Sequence, residues 1–145
     1  VTNYPNANLG NIASVKKICD FKDVFIANKE FSTLRGKKLT LKELLKYPIL
    51  MLERKSTTSE FLHNLFQQQQ LDLVPEIELS SNDLLIDLAR IGLGIAFIPD
   101  YCLPKHGDLF TVETEYELPH RQLIIAHNEQ VPTSKATTEF LKYFE

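Results

Sequence analysis

The sequence lacks a surplus of basic residues, a long apolar run and any grouping of cysteines. Its 16 Lys and Arg residues are outnumbered by 19 Asp and Glu residues, so the 145 residues carry a formal net charge of -3. Because a nucleic-acid surface needs clustered positive charge, this balance argues against direct nucleic-acid binding by this chain. The lack of an apolar run that could cross a bilayer, and of a signal-peptide pattern, predicts no membrane segment.

Cysteine and histidine are too scattered to form a metal or redox centre. Cys19 and Cys102 lie far apart without metal-ligand spacing, which predicts two reduced thiols in a cytoplasmic protein. No pair of histidines has the spacing of a metal site, and no serine lies in a G-x-S-x-G pattern. Gly92-Leu93-Gly94 precedes a strand, which excludes a dinucleotide fingerprint. The sequence therefore predicts no enzyme activity, no catalytic residue, no metal and no cofactor.

The stretch from Ser80 to Pro99 carries the strongest local signal for structure. Its polar start and amphipathic continuation predict a helix whose core face consists of Leu84, Leu85, Leu88 and Ile91. Gly92 stands where helices often end in a left-handed residue, and Gly94 permits a tight re-entry. The segment Ile95–Ile98 is then an interior strand that Pro99 closes. A helix that returns directly into a buried strand predicts half of a parallel α/β unit.

Strands and helices alternate along the rest of the chain. Asn6–Asn11 is rich in turn-forming residues and predicts a linker. The other predicted strands are Val1–Tyr4, Val15–Ile18, Asp23–Ala27, Ile49–Leu52, Val74–Leu79, Leu109–Val112 and Gln122–His127. Predicted helices begin at a capping box of Thr40 and Glu43, at Thr57 and Glu60 with the same spacing, and at Thr133. Their inner faces are Leu41, Leu44 and Leu45; Phe61, Leu62, Leu65 and Phe66; and Ala136, Phe140, Leu141 and Phe144. This order predicts an α/β fold with an open, mostly parallel sheet flanked by helices.

Two polar junctions between a strand and a helix are candidate ligand sites. They span Ser56–Ser59 and Ser80–Asp83, and both follow strands that we expect to be parallel. Both helix starts should then emerge at one edge of the sheet, where ligands bind in such folds. Their free backbone N–H groups and helix dipoles favour an anion. The alternative is that these residues only cap their helices, because Ser, Thr, Asn and Asp are the usual capping residues.

The order of the segments resembles the effector-binding (substrate-binding) region of LysR-type transcriptional regulators. The matching segments are Asp23–Ala27, Leu41–Ile49, Ser56–Thr58, Pro75–Leu79 and, most specifically, Asn82–Pro99. The resemblance implies the type II fold of periplasmic binding proteins, with its second lobe at residues 20–109. Residues 1–19 would be a remnant of the first lobe and the first crossover. Residues 110–145 would be the second crossover with the closing strand and helix of the first lobe.

The resemblance also implies a site and partners. The effector would be a small anionic metabolite held between the two lobes, and its contacts would be Ser56, Thr57, Thr58, Ser81, Asn82, Phe97, Thr2 and Asn3. The full-length protein would be a cytoplasmic homodimer or tetramer that binds DNA through an N-terminal domain and has no membrane contact. Because the chain begins at Val1, in what reads as the middle of a strand, we expect a fragment truncated at its N-terminus.

Two alternatives share the lobed architecture. A solute-binding protein of a transporter would need an export signal or lipid anchor upstream, whereas a helix-turn-helix there would identify a regulator. An enzyme on a related fold would need a reactive lysine, a cysteine or a metal cluster at the edge of the cleft, and the sequence provides none.

Overall fold

A computed structural model of the protein describes residues 1–10 and 13–145. Two compact units are present: Val1–Asp20 together with Arg121–Glu145, and Phe21–His120. The linker predicted at Asn6–Asn11 extends beyond the described residues. The predicted division into lobes at residues 1–19, 20–109 and 110–145 stays a prediction.

Nine strands lie in the part of the chain that the structure describes. They are β1 (Thr2–Tyr4), β2 (Ala13–Phe21), β3 (Asp23–Ala27), β4 (Lys38–Leu39), β5 (Ile49–Leu52), β6 (Ile77–Leu79), β7 (Ile95–Pro99), β8 (Phe110–Thr114) and β9 (Arg121–Asn128). In the larger unit the strand order is β4-β8-β3-β7-β5-β6. β4 is parallel to β8, and β5 is parallel to β6 and β7, whereas β3 is antiparallel to both β7 and β8. Five strands therefore point one way and β3 points the other, which confirms the mostly parallel sheet.

The second sheet has the order β1-β9-β2. β1 pairs antiparallel with β9, with Thr2 opposite Ile124. The first strand of the chain therefore lies beside β9 in this sheet.

Helices cover both faces of the larger sheet. They are α1 (Leu41–Leu44), α2 (Thr57–Gln68) and α3 (Asn82–Arg90), and α4 (Lys135–Lys142) follows β9 in the smaller unit. Successive residues of a strand point to opposite faces. Ile49 and Met51 accordingly share a core with α1 and α2, whereas Leu50 shares a second core with α3. α2 and α3 therefore lie on opposite faces of the sheet but begin after neighbouring strands.

The core face of α3 differs from the prediction. Leu84 and Ile91 are 47% and 68% exposed, and the buried residues are Leu85, Ile86 and Ala89. Six of the eight residues from Leu84 to Ile91 are apolar, so several stripes satisfy helical spacing. The face that contains the small Ala89 is the one buried against the sheet, because a small side chain lets the helix pack closely on the strands.

Two predicted helix caps are displaced by one residue. Ser56, not Thr57, caps α2 by accepting a hydrogen bond from the Ser59 N–H at 3.0 Å. Ser134, not Thr133, caps α4 by accepting from the Thr137 N–H. Neighbouring Ser and Thr residues fit a cap equally well, so only the backbone conformation decides between them. By contrast, the predicted capping box of α1 is confirmed.

The predicted inner face of α4 is wrong. Phe140 is 47% exposed, and none of Ala136, Leu141 and Phe144 is buried by the described part of the chain. The rings of Phe140 and Phe144 contact each other at 5.2 Å between centroids. An amphipathic pattern predicts which side of a helix is apolar, but that side is buried only where another element covers it.

Asn28 joins the end of α3 to the turn that follows β3. The side chain is 5% exposed; its Nδ2 donates to the Arg90 carbonyl at 3.0 Å, and its Oδ1 accepts from the Glu30 N–H at 2.9 Å. The adjacent Gly92 adopts φ +84°, the predicted left-handed helix end. One amide therefore satisfies backbone groups of two segments that are far apart in sequence.

Replacing Asn28 by alanine should lower the free energy of unfolding by about 2–3 kcal/mol, because two partly buried backbone groups lose their partner. Urea denaturation of the chain measures the loss. The control is Asn128→Ala, which removes a similar hydrogen bond to the Gln130 N–H in an exposed turn. That variant should lose less than about 1 kcal/mol. Equal losses in the two variants would contradict the role assigned to Asn28.

Candidate functional site

The two polar junctions lie side by side at the carboxyl ends of β5 and β6. Leu52 and Leu79, the last residues of these strands, are paired in register. One residue further on, the Glu53 N–H donates to the Leu79 carbonyl at 2.9 Å. The segment after β5 then leads into α2, and the segment after β6 leads into α3. The expectation that the two helix starts share one edge of the sheet is therefore confirmed.

At the start of α2, two of the predicted contacts retain accessible surface. Ser56 and Thr57 are half-buried, whereas Thr58 is 1% exposed and belongs to the interior. The Ser56 Oγ is already engaged as the helix cap, which leaves its capacity to donate. Ser59 is fully buried, and its Oγ has no hydrogen-bond partner among the described residues. Among the predicted contacts at the start of α2, Thr57 is thus the one that keeps accessible surface and does not serve as the helix cap.

At the start of α3, the Asn82 amide is the distinctive group. The Ser81 Oγ accepts from the Leu84 N–H at 3.4 Å and so caps the helix. Asn82 is half-buried, and its Oδ1 is buried without a hydrogen-bond partner in the described part of the chain. A buried polar atom without a partner costs about 1–3 kcal/mol. Sequence reasoning selected Asn82 for its position, and the structure adds an unused hydrogen-bonding atom.

The other predicted contacts lie elsewhere. Phe97 is fully buried in the core, with its ring centroid 4.8 Å from that of Phe25, so it packs behind the surface. Thr2 and Asn3 belong to β1 in the smaller unit, where the Thr2 Oγ1 accepts from the Asn6 Nδ2 at 2.9 Å. The structure therefore brings Ser56, Thr57, Ser81 and Asn82 together at one edge of the larger unit.

Sequence reasoning missed a groove of about 500 Å³ where β3 begins and β8 ends. Its lining includes Lys22, Lys38, Thr114 and Glu117, and the Lys22 Nζ lies 3.6 Å from the Glu117 Oε1. Charges of both signs line the groove. No sequence signal could have located it, because the groove depends on β3 running antiparallel beside β8.

The structure supports neither a reactive cysteine nor a metal site at the edge of the sheet where α2 and α3 begin. Burial raises the pKa of the Cys102 thiol, and Asp83, Asp100 and Asp23 raise it further by electrostatic repulsion. Such a thiol is a poor nucleophile, because only the thiolate reacts. Across residues 1–10 and 13–145, no group of three or more His, Cys, Asp or Glu residues could hold a metal ion. No helix in the described ranges is long and apolar enough to span a membrane.

A mostly parallel α/β sheet with paired helix starts at one edge is typical of ligand-binding domains. Residues 11–145 match the family profile described as the LysR substrate binding domain. The chain therefore belongs to this family, the effector-binding domains of LysR-type transcriptional regulators, which are regulatory and not enzymatic. The match confirms the resemblance found in the sequence and favours a regulator over a transporter component.

A curated relative is the HTH-type transcriptional activator CmpR of Synechocystis sp. (strain ATCC 27184 / PCC 6803 / Kazusa). It is 31% identical over 84 residues, which cover 58% of this chain and 28% of the relative. The chain thus spans well under two thirds of the length of this relative.

Solved structures show the same fold. The CcmR regulatory domain of Synechocystis PCC6803, in complex with 2-PG, has a TM-score of 0.82 at 24% identity over 99% of this chain and 69% of that chain. The effector-binding domain of QuiR with shikimate has a TM-score of 0.79 at 11% identity, over 95% and 66%. Full-length CbnR with its target DNA has a TM-score of 0.72 at 11% identity, over 94% and 49%. These likenesses establish a periplasmic-binding-protein-like fold of type II.

Proposed function

We propose that this chain senses a small anionic metabolite for a LysR-type transcriptional regulator. The observation that carries the proposal is the pair of helix starts, α2 and α3, at the ends of two strands that are paired in register. Each start offers backbone N–H groups and the positive end of a helix dipole, and together they favour a negative charge. The CcmR and QuiR domains, solved with 2-PG and shikimate, support a small-molecule effector.

The proposed contacts follow from burial and hydrogen bonding. Thr57 and Asn82 contact the effector directly, and the hydroxyls of Ser56 and Ser81 donate to it while their oxygens cap the helices. Thr58 and Phe97 are buried, so they support the site through packing, Thr58 at the start of α2 and Phe97 in the sheet. On the family resemblance alone, Thr2 and Asn3 of β1 are also proposed as contacts of an effector.

The remaining functions of the regulator are part of the same proposal. DNA binding belongs to an N-terminal domain, since the net charge of -3 argues against direct nucleic-acid binding by this chain. The full-length protein acts in the cytoplasm as a homodimer or tetramer. CbnR, whose full-length form was solved with its target DNA, supports the link between such a domain and DNA binding.

Thr57→Val tests the proposal, because it removes a hydroxyl while keeping the shape of the side chain. We expect effector affinity to fall about tenfold, the effect of losing one hydrogen bond to a charged ligand. Isothermal titration calorimetry with a panel of small carboxylates and phosphorylated acids measures the affinity. Thr57 is preferred to Ser56 because Ser56 caps α2 and its loss would also destabilise the helix.

The matched control is Thr33→Val, which makes the same change at an exposed position of the larger unit. This control should bind the effector with unchanged affinity. Failure of every anion in the panel to bind the parent chain, or equal binding by Thr57→Val, would refute the proposed site.

A further inference from the structure

A second cleft, of about 380 Å³, runs along the side of α2 in the larger unit. Its polar lining is Arg54, His63, Gln67, Gln70 and Asp72, and its apolar lining is Leu71 and Leu73. Neither Ser81 nor Asn82 lines it. The cleft is therefore distinct from the effector site proposed at the helix starts.

The end of α2 gives the cleft its shape. Gln70 adopts φ 57°, and the Leu71 N–H donates a hydrogen bond of 2.9 Å to the Phe66 carbonyl. This left-handed turn ends the helix and sends the chain back along it. Leu73 is then anchored in the core at 5% exposure, while Leu71 is partly buried. The cleft thus has an apolar floor on a well-defined backbone.

His63 supplies an unused hydrogen-bonding atom. Its Nε2 is buried and has no partner among the described residues. Burial lowers the pKa of His63 most, and the nearby Arg54 guanidinium lowers it further, whereas Glu78 and Asp72 oppose these effects. The imidazole is therefore neutral at pH 7 and can donate one hydrogen bond and accept another.

The two charged residues that line the cleft carry opposite signs. Arg54 contributes a positive charge and Asp72 a negative one, and both side chains are on the exposed rim of the cleft. The amides of Gln67 and Gln70 add neutral donors and acceptors. A ligand that complements this lining carries a carboxylate, an ammonium group and an apolar body. A simple anion would leave Asp72 unmatched, and a simple cation would leave Arg54 unmatched.

We propose that this cleft binds a free α-amino acid with an apolar side chain. The carboxylate accepts hydrogen bonds from Arg54 and His63, the ammonium group donates to Asp72, and the side chain lies on Leu71 and Leu73. The site would give the protein a second ligand, independent of the effector at the helix starts.

Three matched probes test the proposal on the 145-residue chain: L-leucine, 4-methylpentanoate, which lacks the ammonium group, and L-leucinamide, which lacks the carboxylate. Imidazole proton–nitrogen NMR spectra report on His63, and the exposed His106 serves as an internal reference. Leucine should shift the His63 signals with a dissociation constant of about 1 mM, typical of a ligand of this size. Each analogue should bind at least about tenfold more weakly. The bound carboxylate should also raise the pKa of His63.

Variants assign the contacts. Arg54→Gln and Asp72→Asn change exposed side chains, so the fold should persist, and each should weaken leucine binding about tenfold. Lys55→Gln removes a neighbouring positive charge outside the cleft and should change nothing. Thr57→Val, which should weaken effector binding, should also leave leucine binding intact, so the failure of one site is distinguishable from the failure of the other.

Three results would overturn the proposal. The first is that 4-methylpentanoate binds as tightly as leucine, which would make the cleft a plain carboxylate site. The second is that no probe shifts His63 at millimolar concentration. The third is that Arg54→Gln and Asp72→Asn bind leucine with the affinity of the parent chain.

Discussion

Replacing Gly94 by alanine should lower the free energy of unfolding by about 3 kcal/mol, because the added methyl group would overlap closely packed atoms. A Cβ at this position would lie 2.5 Å from the Pro48 carbonyl oxygen and 3.0 Å from the Leu50 side chain. The Pro48 oxygen cannot move away freely, because it accepts the Ile95 N–H at 2.8 Å where β5 and β7 begin to pair. Thermal and urea denaturation of the variant measure the loss.

Gly36→Ala is the matched control for Gly94→Ala. Gly36 adopts φ +70°, but no atom of the described residues lies within 4 Å of a Cβ built there. This variant incurs only the left-handed backbone penalty, about 1 kcal/mol. Gly94 has no such backbone penalty, so the comparison separates steric contact from conformational strain. A smaller loss for Gly94→Ala than for Gly36→Ala would contradict the close approach of the two strands.

Replacing Phe97 by alanine should destabilise the chain by about 4 kcal/mol, because a fully buried ring is deleted from the centre of the core. The ring packs against Phe25 at 4.8 Å between centroids, so the deletion leaves a cavity that β3 and β7 cannot close. Phe140→Ala removes the same side chain at a half-exposed position and should lose less than about 1 kcal/mol. Calorimetric unfolding of both variants tests the contrast.

A milder change at Phe97 tests whether it contacts the effector. Phe97→Leu keeps an apolar side chain in the core, and we expect it to cost about 1.5 kcal/mol. Because the ring has no accessible surface, this variant should bind the effector with the affinity of the parent chain at a temperature where both are folded. A large loss of affinity at retained stability would instead show that Phe97 lines the effector site.

Local patterns predicted the elements that depend on neighbouring residues. β3 and β5 have the predicted bounds, Asp23–Ala27 and Ile49–Leu52, because a short, largely apolar run between polar residues is typical of a buried strand. The Thr40 and Glu43 capping box closes with bonds of 2.8 and 3.1 Å, since its partners are three residues apart. The polar edge was also predictable, because the carboxyl ends of parallel strands must meet at one side of a sheet.

Features that depend on distant residues could not be predicted in this way. Nothing in Asp23–Ala27 indicates that β3 runs against its neighbours, and the groove beside it follows from that direction. The double role of Asn28 requires Arg90, 62 residues away. The cleft at His63 requires the chain after α2 to fold back along the helix.

The sequence by itself determined the order of the elements except β4, and the two polar helix starts, since each is encoded in residues a few positions apart. The order of these segments along the chain indicated the family. Only the tertiary structure decided which residues of α3 enter the core, that Phe97 lies behind the surface and that the Asn82 Oδ1 has no hydrogen-bond partner among the described residues. The physical reason is close packing: an apolar pattern permits several burial arrangements, and the fit between helix and sheet selects one.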